Sequence, residues 1–150
     1  MIFEDRLPKK ARHVAASVYA TLLHPGHVDY LEAAALIGPL TVIVNNDGQL
    51  ARKKGVGLPH PFLDERARAR IIGALRCVSR VIVSVDDGPS VCRTLGLLHQ
   101  LHPVDVFANG GDVEDSLESS LCSQLGIECV YGVGGGKSHS SSQMIEDIRR

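Results

Sequence analysis

The sequence predicts a doubly wound α/β fold: a parallel five-stranded sheet with helices on both faces. Three observations predict it. Apolar, β-branched runs of about five residues recur along the chain, the length of an ordinary buried strand. The runs are near-continuously hydrophobic rather than alternating, as in strands covered on both sides. Segments with apolar residues at helical spacing separate them, which demands right-handed crossovers and a parallel sheet.

The elements follow in order. His13 to Val18, rich in Ala and Val, reads as the first strand. In His27 to Ile37, Val28, Leu31, Ala34 and Ala35 recur at helical spacing, and Gly38-Pro39 ends that helix. Leu40 to Val44 is the second strand, and Asn45 to Pro61 reads as a polar loop. Leu63 to Arg76 is the second helix, with Asp64 and Glu65 suited to its first turn. Val81 to Val85 is a strand, Pro89 to Leu101 a helix, Val104 to Ala108 a fourth strand, Val113 to Leu125 a helix and Glu128 to Val133 the last strand. Ser140 to Arg150 closes the chain as a short helix. In sheets of this kind ligands bind at the carboxyl ends of the strands, near the point where strand order reverses. The loops after the first, second, fourth and fifth strands are therefore where function is expected.

With 150 residues, 44% of them hydrophobic, the chain suits one domain, a core over 13–150 preceded by a charged extension over 1–12. Sixteen Lys and Arg against 17 Asp and Glu leave a net charge of -1. No global positive field draws such a chain to nucleic acid or a membrane surface, so phosphate binding must be local. Neither a spanning apolar run nor a hydrophobic leader is present, and the expected location is cytoplasmic. Cys77, Cys92, Cys122 and Cys129 form no C-x-x-C pair and read as reduced core residues.

The chemistry concentrates in Leu22-Leu23-His24-Pro25-Gly26-His27, between the first strand and the first helix. Pro25 pre-sets the dihedral of a helix start, and Gly26 removes the side chain where a phosphate must approach the backbone. His24 and His27 then flank that phosphate, and the helix dipole, equivalent to about half a positive charge, completes an anion site.

With these residues the chain resembles the H-x-G-H nucleotidyltransferase superfamily from Val14 to Ile148, most of all small cytidylyltransferases of the glycerol-3-phosphate type and the adenylyltransferase domain that acts on heptose 1-phosphate. The blocks that carry the resemblance are Leu22 to His27, Ala51-Arg52-Lys53-Lys54-Gly55, Asp64-Glu65-Arg66, Asn109-Gly110-Gly111-Asp112 and Ser140-Ser141-Ser142. The resemblance implies a Rossmann-like fold, a homodimer, and in-line attack of an acceptor phosphate on the α-phosphorus of a nucleoside triphosphate. Pyrophosphate leaves without a covalent enzyme intermediate, so catalysis is positioning and charge stabilisation.

By the same resemblance His24, His27 and Lys54 are catalytic. Gly26, Lys53, Asp112, Lys137, Ser140, Ser141 and Ser142 serve the nucleotide, and Thr21 and Arg66 serve the acceptor. Asp112 reads equally well as a nucleotide contact and as the cap of the next helix. Magnesium is implied with the triphosphate, and no carboxylate cluster suggests a protein metal cage. CTP is favoured over ATP because a chain of this size resembles the glycerol-phosphate enzymes, whereas heptose-phosphate relatives usually carry an attached kinase domain.

Two departures qualify the match. Many relatives have Gly-x-Phe-Asp where this chain reads Val18-Tyr19-Ala20-Thr21, so a hydroxyl stands in place of a carboxylate, and Val113 follows Gly-Gly-Asp where an aromatic or Arg is common. The departure at Thr21 makes a non-catalytic nucleotide-binding regulator the rival from another class, against which His24, His27 and Lys54 weigh. Gly132-Val133-Gly134-Gly135-Gly136-Lys137-Ser138 is one residue short of a Walker A loop and is rejected as one. No G-x-G-x-x-G follows the first strand, which excludes a plain NAD-binding domain. His99 and His102 read as surface or helix-end residues rather than metal ligands.

Overall fold

The structure, a computed structural model, describes residues 11–53, 63–111, 113–135 and 141–150. Its elements run β1 (Val14–Val18), α1 (Pro25–Ile37), β2 (Leu40–Val44), α2 (Asp47–Arg52), α3 (Glu65–Gly73), β3 (Arg80–Val83), α4 (Cys92–Leu101), β4 (Val106–Gly110), α5 (Ser119–Leu125), β5 (Glu128–Val133) and α6 (Ser141–Arg149). The strands form one sheet in the order β3-β2-β1-β4-β5, and every pairing is parallel. This is the expected doubly wound sheet, with its switch point between β1 and β4.

Alternation along the strands sends successive side chains to opposite faces and creates two cores. Val14, Ala16 and Val18 of β1 join Val42 and Val44 of β2 beneath Leu31 and Ala34 of α1 and Ile72 of α3. Ala15, Ile43 and Phe107 face the other way, against Leu95 and Leu98 of α4 and Cys122 of α5. Fully burying side chains such as Leu31 and Leu95 stabilises the fold by about 1.5–3 kcal/mol each.

The structure corrects the expected elements in several places. The polar stretch after β2 contains a helix, α2, with an Asn46–Gln49 capping box. Its stability is tertiary: Asn46 Nδ2 donates to the carbonyls of Ser84 and Asp86, and Gln49 Nε2 to those of Gly88 and Ser90. Helix α4 begins at Cys92 rather than Pro89, because the Asp86 carboxylate accepts the N–H groups of Arg93 and Thr94 and so sets its start. Helix α5 begins at Ser119 rather than Val113, and α3 ends at Gly73 rather than Arg76.

All four cysteines are free thiols, but only Cys122 is fully buried; Cys77, Cys92 and Cys129 are half-buried. Burial, and then a hydrogen bond of its S–H to Cys129, push the Cys122 thiol up to about 12. His99 Nδ1 accepts the Val104 N–H and His102 caps α4, so both are helix-end residues. Among the described residues no helix is long and apolar enough to cross a membrane.

Candidate active site

The carboxyl edge of the sheet gathers the starts of α1 to α4, and three of these starts are closed by the protein's own acidic or amide side chains. Asn46 and Asp47 begin α2, and Asp64 and Glu65 begin α3. At α4 Asp86 accepts from Arg93 and Thr94, while Glu118 accepts the Val91 N–H. Helix α1 has no acidic residue in its first turn, and its cap is an imidazole. Unlike α2 and α3, α1 thus carries no acidic side chain in its cap or first turn to offset the helix dipole.

The α1 start is built from His24 and His27. His24 Nδ1 accepts the Gly26 N–H at 3.1 Å, and His27 Nδ1 accepts the His24 N–H at 3.3 Å. The ring centroids lie 3.9 Å apart, tilted by 33°. With each Nδ1 accepting, the proton of each neutral ring resides on Nε2, so both imidazoles hold the same tautomer. The Gly26 amide is thus engaged by the His24 ring. His24 is 7% exposed and His27 half-buried.

Two further contacts draw α1 across the switch point. Tyr30 Oη donates to the Ala108 carbonyl of β4, and burial raises the Tyr30 phenol pKa well above its ordinary value. A Cβ on Gly110 would stand 2.8 Å from Tyr30 Cδ2, and one on Gly134 would stand 2.7 Å from Tyr30 Cα. Gly134 has φ +85°, a conformation that side-chain-bearing residues rarely adopt. The loops after β4 and β5 can therefore close on α1 only because these positions lack side chains.

On the other side of β1, Arg68 binds the loops together. It is fully buried on α3. Nη1 donates to the Tyr19 and Asn45 carbonyls at 2.7 Å each, Nε to the Leu63 carbonyl at 3.0 Å, and Nη2 to Asp47 Oδ1 at 2.9 Å. The segments leaving β1 and β2 are thus fixed to one guanidinium. Between Tyr19 and Thr21, Ala20 has φ +55°, a left-handed conformation that costs roughly 1–2 kcal/mol outside glycine and turns the chain toward His24. Thr21 is 5% exposed.

Of the residues expected from sequence, the structure brings His24, His27, Gly26 and Thr21 together in the segment from β1 into α1. Lys53 joins them from the end of α2, its Nζ 4.0 Å from the centroid of the Tyr19 ring. Arg66 is exposed on α3, two residues from the buried Arg68. Lys54, Asp112, Lys137 and Ser140 lie outside the described residues, as do the side chains of Ser141 and Ser142, which open α6. Arg68 and Tyr19 were missed by sequence reasoning. Arg68 left one signal: it stands four residues before Ile72, on the apolar stripe of its helix.

A model of cytidylyltransferase-like domains matches residues 21–131. The chain belongs to the cytidylyltransferase-like family. Relatives in curated collections of proteins include the bifunctional protein HldE of Gluconobacter oxydans (strain 621H), 38% identical over 130 residues that cover 83% of this chain and 24% of that protein. HldE of Streptomyces coelicolor (strain ATCC BAA-471 / A3(2) / M145) is 41% identical over 121 residues, covering 78% of this chain and 24% of that protein. Among solved structures, the lipopolysaccharide core biosynthesis protein from Thermoplasma volcanium GSS1 matches with a TM-score of 0.62 and 26% identity, over 81% of this chain and 95% of that one. The chain thus spans about a quarter of the length of its HldE relatives, at 24% in both cases, while its match covers 95% of the Thermoplasma volcanium protein. Membership of this family of nucleotidyltransferases agrees with the sheet order.

Proposed function

We propose that the chain transfers a nucleoside monophosphate from a nucleoside triphosphate to a phosphorylated small molecule, a sugar phosphate of the heptose type before others, and releases pyrophosphate. The single observation that carries this reading is the α1 start, where two adjacent imidazoles stand in place of the Asn46 cap followed by Asp47 at α2 and the Asp64 cap followed by Glu65 at α3. An acceptor phosphate oxygen attacks the α-phosphorus in line. The bond to the bridging oxygen breaks, and pyrophosphate leaves with its electron pair. The Nε2–H groups of His24 and His27 donate to triphosphate oxygens as charge builds on them, in the manner of oxyanion donors. Arg68, which touches no reacting atom in this scheme, holds the loops that present these donors.

Lys54 and Lys53 supply cations, Ser140 to Ser142 and Lys137 receive the departing phosphates, Asp112 serves the nucleotide, and Thr21 and Arg66 serve the acceptor. Among the described residues no group of three His, Cys, Asp or Glu side chains is placed to hold a metal. Magnesium in this reading would enter with the triphosphate and neutralise part of its charge. The HldE relatives support ATP as donor, by the resemblance to heptose 1-phosphate adenylyltransferase domains. The family description supports CTP as the second reading. A homodimer belongs to the proposal and is read by sedimentation velocity.

The test is pyrophosphate release with ATP, CTP, GTP and UTP, each with heptose 1-phosphate and with glycerol 3-phosphate, in the presence of magnesium. Release with ATP and heptose 1-phosphate is expected first. His24→Asn retains a good helix cap while removing the imidazole, and should lower turnover by at least about 100-fold with the fold intact. Near-normal turnover in that variant would overturn the mechanism.

A further inference from the structure

We infer that Tyr19 is a positioning residue whose ring holds the Lys53 ammonium at the segment that leads from β1 toward α1, so that the pair tunes the affinity for the triphosphate. The inference rests on the nucleotidyltransferase reading and adds a residue to it.

Both backbones are anchored at the carboxyl edge of the sheet. Tyr19 follows β1, and its carbonyl accepts from Arg68. Lys53 caps α2, with its N–H bonded to the Leu50 carbonyl at 3.1 Å. Its side chain therefore leaves from a fixed point and ends 4.0 Å from the Tyr19 ring centroid, within the range of a cation–π contact. The half-buried phenol stays neutral, because burial and then the charge of Glu118 raise its pKa, so the contact is to a ring face rather than to a phenolate.

An ammonium held against a ring face keeps N–H donors directed away from the ring, and these can meet a phosphate oxygen. Holding a long flexible side chain in place beforehand reduces the entropy lost when the anion binds. Lys53 is thus distinguished from a freely solvated surface charge by the partner that orders it.

The experiment is isothermal titration of the whole protein with magnesium-ATP and with magnesium-CTP, for wild type, Tyr19→Leu, Tyr19→Phe, Lys53→Gln and the Tyr19→Leu/Lys53→Gln double variant. Tyr19→Leu should weaken binding by about two- to fivefold, the range of an exposed cation–π contact, and Tyr19→Phe should restore it. The double variant should bind no more weakly than Lys53→Gln alone. In parallel, the Lys53 Cε proton resonances should be shifted upfield by the ring in wild type and Tyr19→Phe, and return to ordinary values in Tyr19→Leu. Additive losses, a Phe variant as weak as Leu, or the lack of an upfield shift would each overturn the pairing. Failure of wild type to bind either nucleotide while the upfield shift persists would instead overturn the nucleotide reading, and with it the role given to the pair.

Discussion

Replacing Arg68 by methionine tests how the site is held in place. The side chain is fully buried and makes four hydrogen bonds, to the carbonyls of Tyr19, Asn45 and Leu63 and to Asp47. Methionine fills similar volume but leaves the Tyr19 and Asn45 carbonyls without their donor, at about 1–3 kcal/mol each. The Asp47 side chain is 31% exposed and regains water when its partner is removed, so its share is discounted to the surface scale of about 0–1 kcal/mol. These contributions sum to about 2–7 kcal/mol, which brackets the about 3–5 kcal/mol expected for breaking a buried charged network. For a chain of this length that lowers Tm by about 6–20 °C. Urea titration followed by circular dichroism measures the loss, with Arg66→Met as control, expected within about 0.5 kcal/mol because Arg66 is exposed. A loss below about 1 kcal/mol for Arg68→Met, or equal losses at both positions, would refute the argument that this guanidinium binds the β1 and β2 loops.

Other perturbations follow from the same geometry. Gly134→Ala sets a methyl group against the Tyr30 backbone at positive φ and should cost more stability than Gly110→Ala, whose clash is with the Tyr30 side chain rather than with backbone; denaturation midpoints compare the two. Cys122 should be the last thiol alkylated by iodoacetamide in the native protein at pH 8, since burial and the Cys129 hydrogen bond hold its pKa near about 12; peptide mapping that finds it labelled before Cys92 would contradict this. Thr21→Asp introduces a carboxylate beside the proposed phosphate site and should raise KM for an anionic acceptor more than for the triphosphate, measured at saturating magnesium. Unchanged constants for both substrates would show that residue 21 does not face the acceptor.

The sequence by itself determined the alternation of strands and helices, because the two periodicities that encode it are local. The run Leu40–Val44 can hardly be anything but a strand buried on both faces. It also determined the α1 start: His24, Pro25, Gly26 and His27 are adjacent, and capping is decided within one turn. The boundaries of α4 and α5 were less legible, since the α4 start depends on Asp86, six residues upstream of Cys92 and outside the helix.

What the tertiary structure decided lies in contacts between distant segments. Composition cannot tell Arg66 from Arg68; their side chains point about 200° apart around α3, and only the sheet beneath shows which one turns inward. The acceptors that receive Arg68 are the Tyr19 and Asn45 carbonyls, 49 and 23 residues away, and a backbone carbonyl has no sequence signature. Helix α2 shows the same effect, with a polar sequence that is helical because carbonyls from Ser84 to Ser90 receive its Asn46 and Gln49 side chains. The Tyr19–Lys53 contact likewise required β1 and α2 to end side by side. Local patterns specify elements because each residue's neighbours along the chain set its dihedrals, whereas a buried polar group is satisfied by whatever the finished fold brings within hydrogen-bonding distance.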